Sequence, residues 1–281
     1  MVKTKVAFMY DFDNTLAPGN MQEAAFVPEC GLTPDEFWSR TSNFAKEKNI
    51  DSILAYMYTM ISLAKEKNVN ISRKAFAKQG ERIKFFDGVE EWFSKINKEA
   101  DKLGLEIEHY IISCGQKEII EGCKIAKEFK RIFASCFCFD ENDQPYWPAN
   151  AVNYTTKTQY IYRIRKNKLD NLYDFREINE YIPQREKLLP YRNMVYFGDG
   201  ETDIPCMKKI KVSGGHSVCL YSKDSKKQKE VAEKIYNDGR VDFIAPNDYR
   251  EGEKLYQIAV NILKTIALRR DLDDLKTNNN I

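Results

Sequence analysis

The sequence predicts an α/β protein, a doubly wound parallel sheet whose strands alternate with covering helices and whose first strand is followed by an α-helical insertion. Three observations carry that expectation. The chain opens on an unbroken apolar run, Val6-Ala7-Phe8-Met9, as in a strand buried on both faces. From Asp87 onward, strand-like and helix-like segments alternate. Between these regions, residues 17–84 carry helical patterning and almost no strand signal.

The first strand spans Val2 to Tyr10 and runs straight into acidic residues. Pro18 and Gly19 then break the chain. The first long helix of the insertion has a marked start: Thr33 as N-cap, Pro34 at the first helical position and Glu36 as capping-box partner. Asp51 and Ser72 open two more helices, ending near Asn68 and Ile83. Ile53, Leu54, Met57, Ile61 and Ala64 recur at helical spacing, the pattern of a packed face in a small bundle rather than of a ligand box. A helix from Val89 to Leu103 closed by Gly104, a strand from Leu105 to Ile112 and a helix after Gly115 set a βαβ rhythm. A strand from Arg131 to Phe139, a turn at Glu141-Asn142-Asp143, a helix opening near Lys157, a strand from Met194 to Phe197, another near Ser217 to Leu220 and a helix from Glu253 to Arg270 complete the pattern. Residues 1–16 and 85–270 are therefore expected to form a Rossmann-like core, 17–84 the helical insertion, and 271–281, acidic and then asparagine-rich, a flexible tail.

At 281 residues the chain has room for two domains of about 150 residues or one with a large insertion. Its 44 Lys and Arg nearly balance 42 Asp and Glu, so the formal charge of +2 gives no field that would make nucleic acid or a membrane surface an obligate partner. With 43% hydrophobic residues, it has the composition of an ordinary soluble globular protein. No apolar run approaches the roughly 20 residues that span a bilayer, and no long apolar stretch marks a secretion signal, so a cytoplasmic protein is expected. Seven cysteines (Cys30, Cys114, Cys123, Cys136, Cys138, Cys206 and Cys219), an odd number scattered through a long chain, read as reduced and mostly buried. His109 and His216 are the only histidines and no C-x-x-C occurs, so zinc is poorly supported and both histidines read as structural. The stretch Lys223 to Lys229 reads as a solvated face.

Ligands of a doubly wound sheet sit at the carboxyl ends of its strands. Three polar clusters fall there: Asp11-Phe12-Asp13-Asn14-Thr15, Ser113-Cys114-Gly115 and Gly198-Asp199-Gly200-Glu201-Thr202-Asp203. Four carboxylates delivered to one crevice repel one another, which calls for a cation. Mg²⁺ is the expected one, a hard ion that takes carboxylate oxygens and completes its shell with water and substrate phosphate. Taken singly, each cluster has a bland reading: a polar turn, a helix N-cap at Ser113, a capped loop. Independent turns would not be expected to yield this order of residue types.

D-x-D-x-T at Asp11 to Thr15, Ser113 after a second strand, a lysine, and G-D-x-x-x-D at Gly198 to Asp203 together resemble the haloacid dehalogenase-like superfamily. The resemblance spans Asp11 to Asp203, and the insertion resembles the helical cap of the phosphoserine-phosphatase-like branch. It implies that Asp11 is a nucleophile forming an aspartyl-phosphate and that Asp13 is the general acid and base. Thr15, Ser113 and Lys157 would donate to the phosphoryl oxygens. The Asp11 carboxylate, the Asp13 backbone carbonyl and Asp199 would hold Mg²⁺, while Asp203 would orient a metal-bound water or Lys157. Lys157 sits where a helix could begin; Lys166 and Lys168 compete with it, and Lys157 is favoured because the other two lie late on a basic, solvated helix, while the charged, aromatic segment 169–192 lengthens the interval to Asp199.

The implied activity is hydrolysis of a small phosphorylated metabolite beneath a lid. Release of a halide needs no proton, so an acid at Asp13 favours a phosphate ester over a carbon–halogen bond. The D-K-T-G-T motif and the membrane spans of the P-type pumps are both missing from the sequence. Phosphoryl transfer to another acceptor shares the first half-reaction and stays open as an alternative, as does a non-catalytic regulator that binds a phosphorylated ligand. A cap-side Glu and Arg hold the amino acid in the phosphoserine phosphatases. Here Glu23 lies further from Asp13 than that pattern, and Arg40, Arg73 and Arg82 are the candidate arginines, so the substrate is left unassigned.

Overall fold

A computed structural model describes residues 3–174, 176–183 and 189–278. Seven strands form one sheet: β1 (Thr4–Tyr10), β2 (Leu105–Gln116), β3 (Arg131–Phe139), β4 (Pro145–Asn150), β5 (Met194–Gly198), β6 (His216–Tyr221) and β7 (Phe243–Pro246), in the order β4-β3-β2-β1-β5-β6-β7. Every neighbouring pair is parallel except β3 and β4. The insertion supplies α1 (Met21–Ala24), α2 (Phe26–Glu29), α3 (Pro34–Lys48), α4 (Ser52–Lys67) and α5 (Arg73–Gly80). The rest of the chain adds α6 (Val89–Lys102), α7 (Lys117–Glu121), α8 (Lys157–Lys166), α9 (Arg176–Asn179), α10 (Ile204–Val212), α11 (Lys226–Asn237) and α12 (Lys254–Asn278).

The period of two along β1 divides the core. Val6, Phe8 and Tyr10 join Trp92 and Phe93 of α6 and Leu255, Ala259 and Leu263 of α12 on one face. Ala7 and Met9 join Tyr160 and Ile161 of α8, Met207 and Ile210 of α10 and Ala232 of α11 on the other. Burial on both faces is why β1 reads as an unbroken apolar run.

The expected helix starts are present. Thr33 and Glu36 form a reciprocal capping box, Asp51 accepts from the Ile53 and Leu54 amides, and Ser72 accepts from Ala75. Asn68 closes α4 in the left-handed conformation, with φ of 54°. However, α5 ends at Gly80 rather than near Ile83 because it runs into α7: a Cβ on Gly80 would lie 2.0 Å from the Ile119 carbonyl, and one on Gly122 would lie 2.0 Å from that of Ala77. Nor does the insertion form a bundle with its own core. Phe26, Phe37, Met57, Met60, Leu63 and Phe76 are contiguous with the Val6 face of the sheet.

Seven elements have no counterpart in the sequence analysis: β4, β7 and the helices α1, α2, α9, α10 and α11. Pro145 and Pro148 disguise β4, yet an edge strand tolerates proline because half of its amides face away from the ladder. Within α11, Lys226, Lys227 and Lys229 are exposed as expected, while Ala232 and Ile235 are buried. The expected tail needs correction, since α12 continues to Asn278. Arg192 pairs with Asp273 at 2.7 Å, and Arg270 donates to the Leu103 and Gly104 carbonyls, so this end of the helix is tied to the core. Residues 279–281 lie outside the described residues.

Segment 169–192, of which Phe175 and 184–188 lie outside the described residues, wraps the C-terminal end of α8. Buried Arg163 donates to the carbonyls of Lys168, Asn171 and Leu172, and Lys166 to those of Ile178 and Glu180. The seven cysteines are free, and among the described residues no helix is long and apolar enough to cross a membrane.

Candidate active site

At the end of β1 the Asp11 amide donates to the Phe197 carbonyl at 2.9 Å, so the strand keeps its register with β5 up to the first acid. The chain then reverses. Asn14 takes a left-handed φ of 56°, and its amide donates to the Ala17 carbonyl at 2.7 Å. Asp13 is turned toward the insertion, where its Oδ1 accepts from the Met21 amide at 2.9 Å. Met21 in turn crosses Gly115 at the end of β2. A Cβ there would lie 2.1 Å from Met21 Cε and 3.1 Å from Asp13 Oδ2, so this crossing requires glycine. Ser113 is buried inside β2, its Oγ accepting from the Gly115 amide at 3.0 Å. It does not cap α7, whose N-cap is Gln116.

Lys157 opens α8 and is fully buried. Its Nζ lies 3.1 Å from Asp11 Oδ1 and 2.7 Å from Asp203 Oδ1. The competitors are elsewhere: Lys166 binds carbonyls of the 169–192 segment and Lys168 lies 3.7 Å from Glu180. Asp203 Oδ1 also accepts from the Tyr196 hydroxyl at 2.7 Å, and its Oδ2 from the Asp199 amide at 3.3 Å. Thr15, buried, directs its hydroxyl to Asp199 Oδ1 at 3.4 Å. Asp11, Asp199 and Asp203 each bring a carboxylate oxygen within 4.8 Å of the others'.

The electrostatics follow from three acids around one ammonium. Burial, then the charge of Asp203, pushes Asp11 up to about 7, with Lys157 pulling the other way. Burial and Asp11 hold Asp13 well above the usual carboxylate range, against the Met21 amide. Burial, Asp203 and Asp11 do the same to Asp199. For Lys157 burial acts downward, but Asp11 and Asp203 outweigh it and the ammonium is retained. Asp11 Oδ1 is buried, and the Lys157 ammonium at 3.1 Å is its close polar neighbour. Both oxygens of Asp203 already accept hydrogen bonds, which leaves the carboxylates of Asp11 and Asp199 as the ones that could face a cation. This donor set fits a hard divalent ion.

The insertion reaches the site through Tyr56, which the sequence analysis does not single out, and through Asp51, named there only as a helix start. Tyr56 of α4 donates to the Cys114 carbonyl at 2.8 Å, and Asp51 accepts from Asn153, just before Lys157, at 3.1 Å. Glu23 accepts from Asn20 and from the Trp38 indole at 2.6 Å, and its charge acts on Asp13. The candidate arginines do not join it: Arg40 pairs with Glu66, Arg82 with Glu29, and Arg73 lies over the Phe139 ring. Tyr196 was hidden in an apolar strand; its one signal was a hydroxyl in an otherwise apolar run.

No family profile matches the chain. An uncharacterized protein of Borreliella burgdorferi is 27% identical over 279 residues, covering 89% of this chain and 94% of that one. Among solved structures, a phosphoserine phosphatase in its apo form has a TM-score of 0.55 at 15% identity, with 85% of this chain and 92% of that chain covered. A probable phosphoserine phosphatase from Vibrio cholerae gives 0.53 at 13% identity, covering 95% of this chain and 67% of the other. A HAD family hydrolase from Salmonella enterica serovar Typhi gives 0.52 at 16% identity over 81% of this chain; only 65% of that hydrolase's length is spanned. The mostly parallel sheet with its inserted helices thus has the haloacid dehalogenase-like fold seen in these structures.

Proposed function

We propose that this protein is a Mg²⁺-dependent phosphatase that hydrolyses a small phosphomonoester through an aspartyl-phosphate on Asp11. The observation that carries this reading is the buried Asp11 carboxylate, whose Oδ1 lies 3.1 Å from the Lys157 ammonium and which brings an oxygen within 4.8 Å of Asp199 and Asp203 oxygens. In the first step a carboxylate oxygen of Asp11 bonds to phosphorus, the bond to the ester oxygen breaks, and Asp13 gives that oxygen its proton. In the second, ionised Asp13 takes a proton from water, the resulting hydroxide attacks the aspartyl-phosphate, and inorganic phosphate leaves with both acids restored. The raised proton affinity of Asp13 supports the first half of that role.

Lys157, Ser113 and Thr15 are assigned to the phosphoryl oxygens, and Asp203 with Tyr196 holds the ammonium in place. The Asp11 carboxylate, the Asp13 backbone carbonyl and Asp199 would hold Mg²⁺, which supplies the positive charge that lets a phosphate dianion approach these acids. Residues 17–84 act as a cap over 1–16 and 85–270; the contacts of Met21 and Tyr56 with the β2 loop support a lid that excludes water. Such a lid favours a small substrate. Because Arg40, Arg73 and Arg82 are engaged elsewhere, they do not supply a carboxylate-binding arginine, and phosphoserine is not singled out.

The test is a phosphate-release screen over small phosphorylated metabolites and an aryl phosphate. Release should require Mg²⁺ and stop on chelation. Label passing to a second metabolite instead of water would make the protein a transferase. Saturable ligand binding without turnover of any substrate would make it a regulator.

A further inference from the structure

The loop after β7 is anchored more firmly than the end of a sheet requires. Asp248, 4% exposed, is clamped by Lys223 and by Arg250, whose Nε donates at 2.9 Å. The Tyr249 amide donates to the Asp87 carbonyl at 2.8 Å, and its ring meets Trp92 edge-on at 5.1 Å. Gly88, at φ of 83°, lies so close beneath that a Cβ would sit 2.5 Å from the Arg250 amide nitrogen. The Asn247 amide donates to the Tyr221 carbonyl at the end of β6, at 3.0 Å.

Two side chains of this fixed loop grip successive carbonyls of the reversal after β1. The Tyr249 hydroxyl donates to the Thr15 carbonyl at 2.9 Å, and Asn247 Nδ2 to the Asn14 carbonyl at 3.3 Å. Gln228 of α11 adds a bond to Asn14 Oδ1 at 3.4 Å. The left-handed turn at Asn14 takes these carbonyls out of any strand ladder, and a buried carbonyl needs a donor. Thr15 is held at both ends, its hydroxyl facing Asp199 and its carbonyl facing Tyr249.

We infer that Tyr249 and Asn247 are positioning residues that fix the peptides of Asn14 and Thr15, and through them the aim of Asp11 and Asp13, in the phosphatase proposed above. The inference rests on that reading for its effect on rate, but not for its effect on the loop. One hydrogen bond between neutral groups adds little to the stability of the whole fold. A small misplacement of reacting groups costs far more in rate.

The experiment compares the full-length protein with Tyr249→Phe, Asn247→Ala and, as a control, Tyr173→Phe, whose residue is 86% exposed. Steady-state kinetics with an aryl phosphate and Mg²⁺ are measured beside backbone hydrogen exchange over residues 11–17. Tyr249→Phe keeps the ring and so the packing against Trp92; it should lower kcat about tenfold with KM changed less than about twofold, and Asn247→Ala should act in the same direction. Exchange over 11–17 should quicken in both variants and stay unchanged in the control. Unchanged kcat in an active protein, a loss expressed wholly in KM, or unchanged exchange over 11–17 would overturn the inference. If the wild-type protein hydrolyses no phosphate ester, the proposed function fails by itself, and the exchange measurement alone decides whether these side chains hold the loop.

Discussion

At the mouth of β1, Asp11, Asp199 and Asp203 gather near the ammonium of Lys157, whereas on the loop after β7 Asp248 lies directly between two cations, Lys223 and Arg250. Both regions bury carboxylates, with opposite results. In the crevice, burial and like charge raise the proton affinity of Asp11 and Asp199. At the clamp, hydrogen bonds from Arg250 and Lys223 overcome desolvation and hold Asp248 below the usual carboxylate range. A buried acid is therefore not in itself a sign of chemistry. The informative feature is charge left unmatched by the fold, which a cation and a substrate would complete.

The sharpest way to break this comparison is to make the same substitution in both places. Asp199→Asn should abolish Mg²⁺-dependent turnover and, because it relieves like-charge crowding, raise the stability of the cation-free protein by about 1–2 kcal/mol. Asp248→Asn removes the charge that two exposed cations share and should lower stability by about 1–2 kcal/mol. Chemical denaturation in chelator, beside an activity assay, reads both. Stability changes of the same sign would remove the distinction.

A third buried group responds to pH rather than to a cation. His109, 3% exposed, has Nδ1 3.1 Å from the Tyr10 hydroxyl and Nε2 3.0 Å from Asn97 Oδ1, with the Trp92 indole donating to the same hydroxyl at 2.9 Å. Burial pushes its pKa down to about 3, while the unfolded chain titrates near 6.5. The folded state then binds fewer protons than the unfolded one, so this contribution is complete above about 6.5 and is lost as pH falls toward about 3. With Mg²⁺ saturating the crevice, stability should decline across that window by at most about 1.4 kcal/mol per pH unit. The acid limb should be shallower in His109→Gln; an identical limb would show that His109 does not titrate differently on folding.

Much of this was legible in the sequence because its causes are local. The buried run of β1, the capping box at Thr33 and Glu36, and the polar clusters at strand ends are each set by neighbouring residues. Lys157 is preferred in the sequence because Lys166 and Lys168 lie late on a basic helix, and the fold brings it between Asp11 and Asp203. What escaped depends on distant partners. Strand β7 is only four residues long, and Tyr249 matters through a carbonyl 234 residues away. Tyr56 acts through a carbonyl 58 residues away, and Pro145 and Pro148 concealed a strand that only its place at the sheet edge permits. Helix α12 outran the expected tail because Arg192 and the Leu103 and Gly104 carbonyls, both distant in sequence, hold it.

The central claim is that Asp11 carries the phosphoryl group during turnover. Acid quenching of the protein as it hydrolyses a labelled phosphate ester with Mg²⁺, followed by peptide mapping, tests it directly. The account predicts label on Asp11, and in Asp11→Asn no label and a loss of turnover of at least about a thousandfold. Steady hydrolysis with the label on another residue, or an Asp11→Asn protein that keeps near wild-type activity, would contradict it.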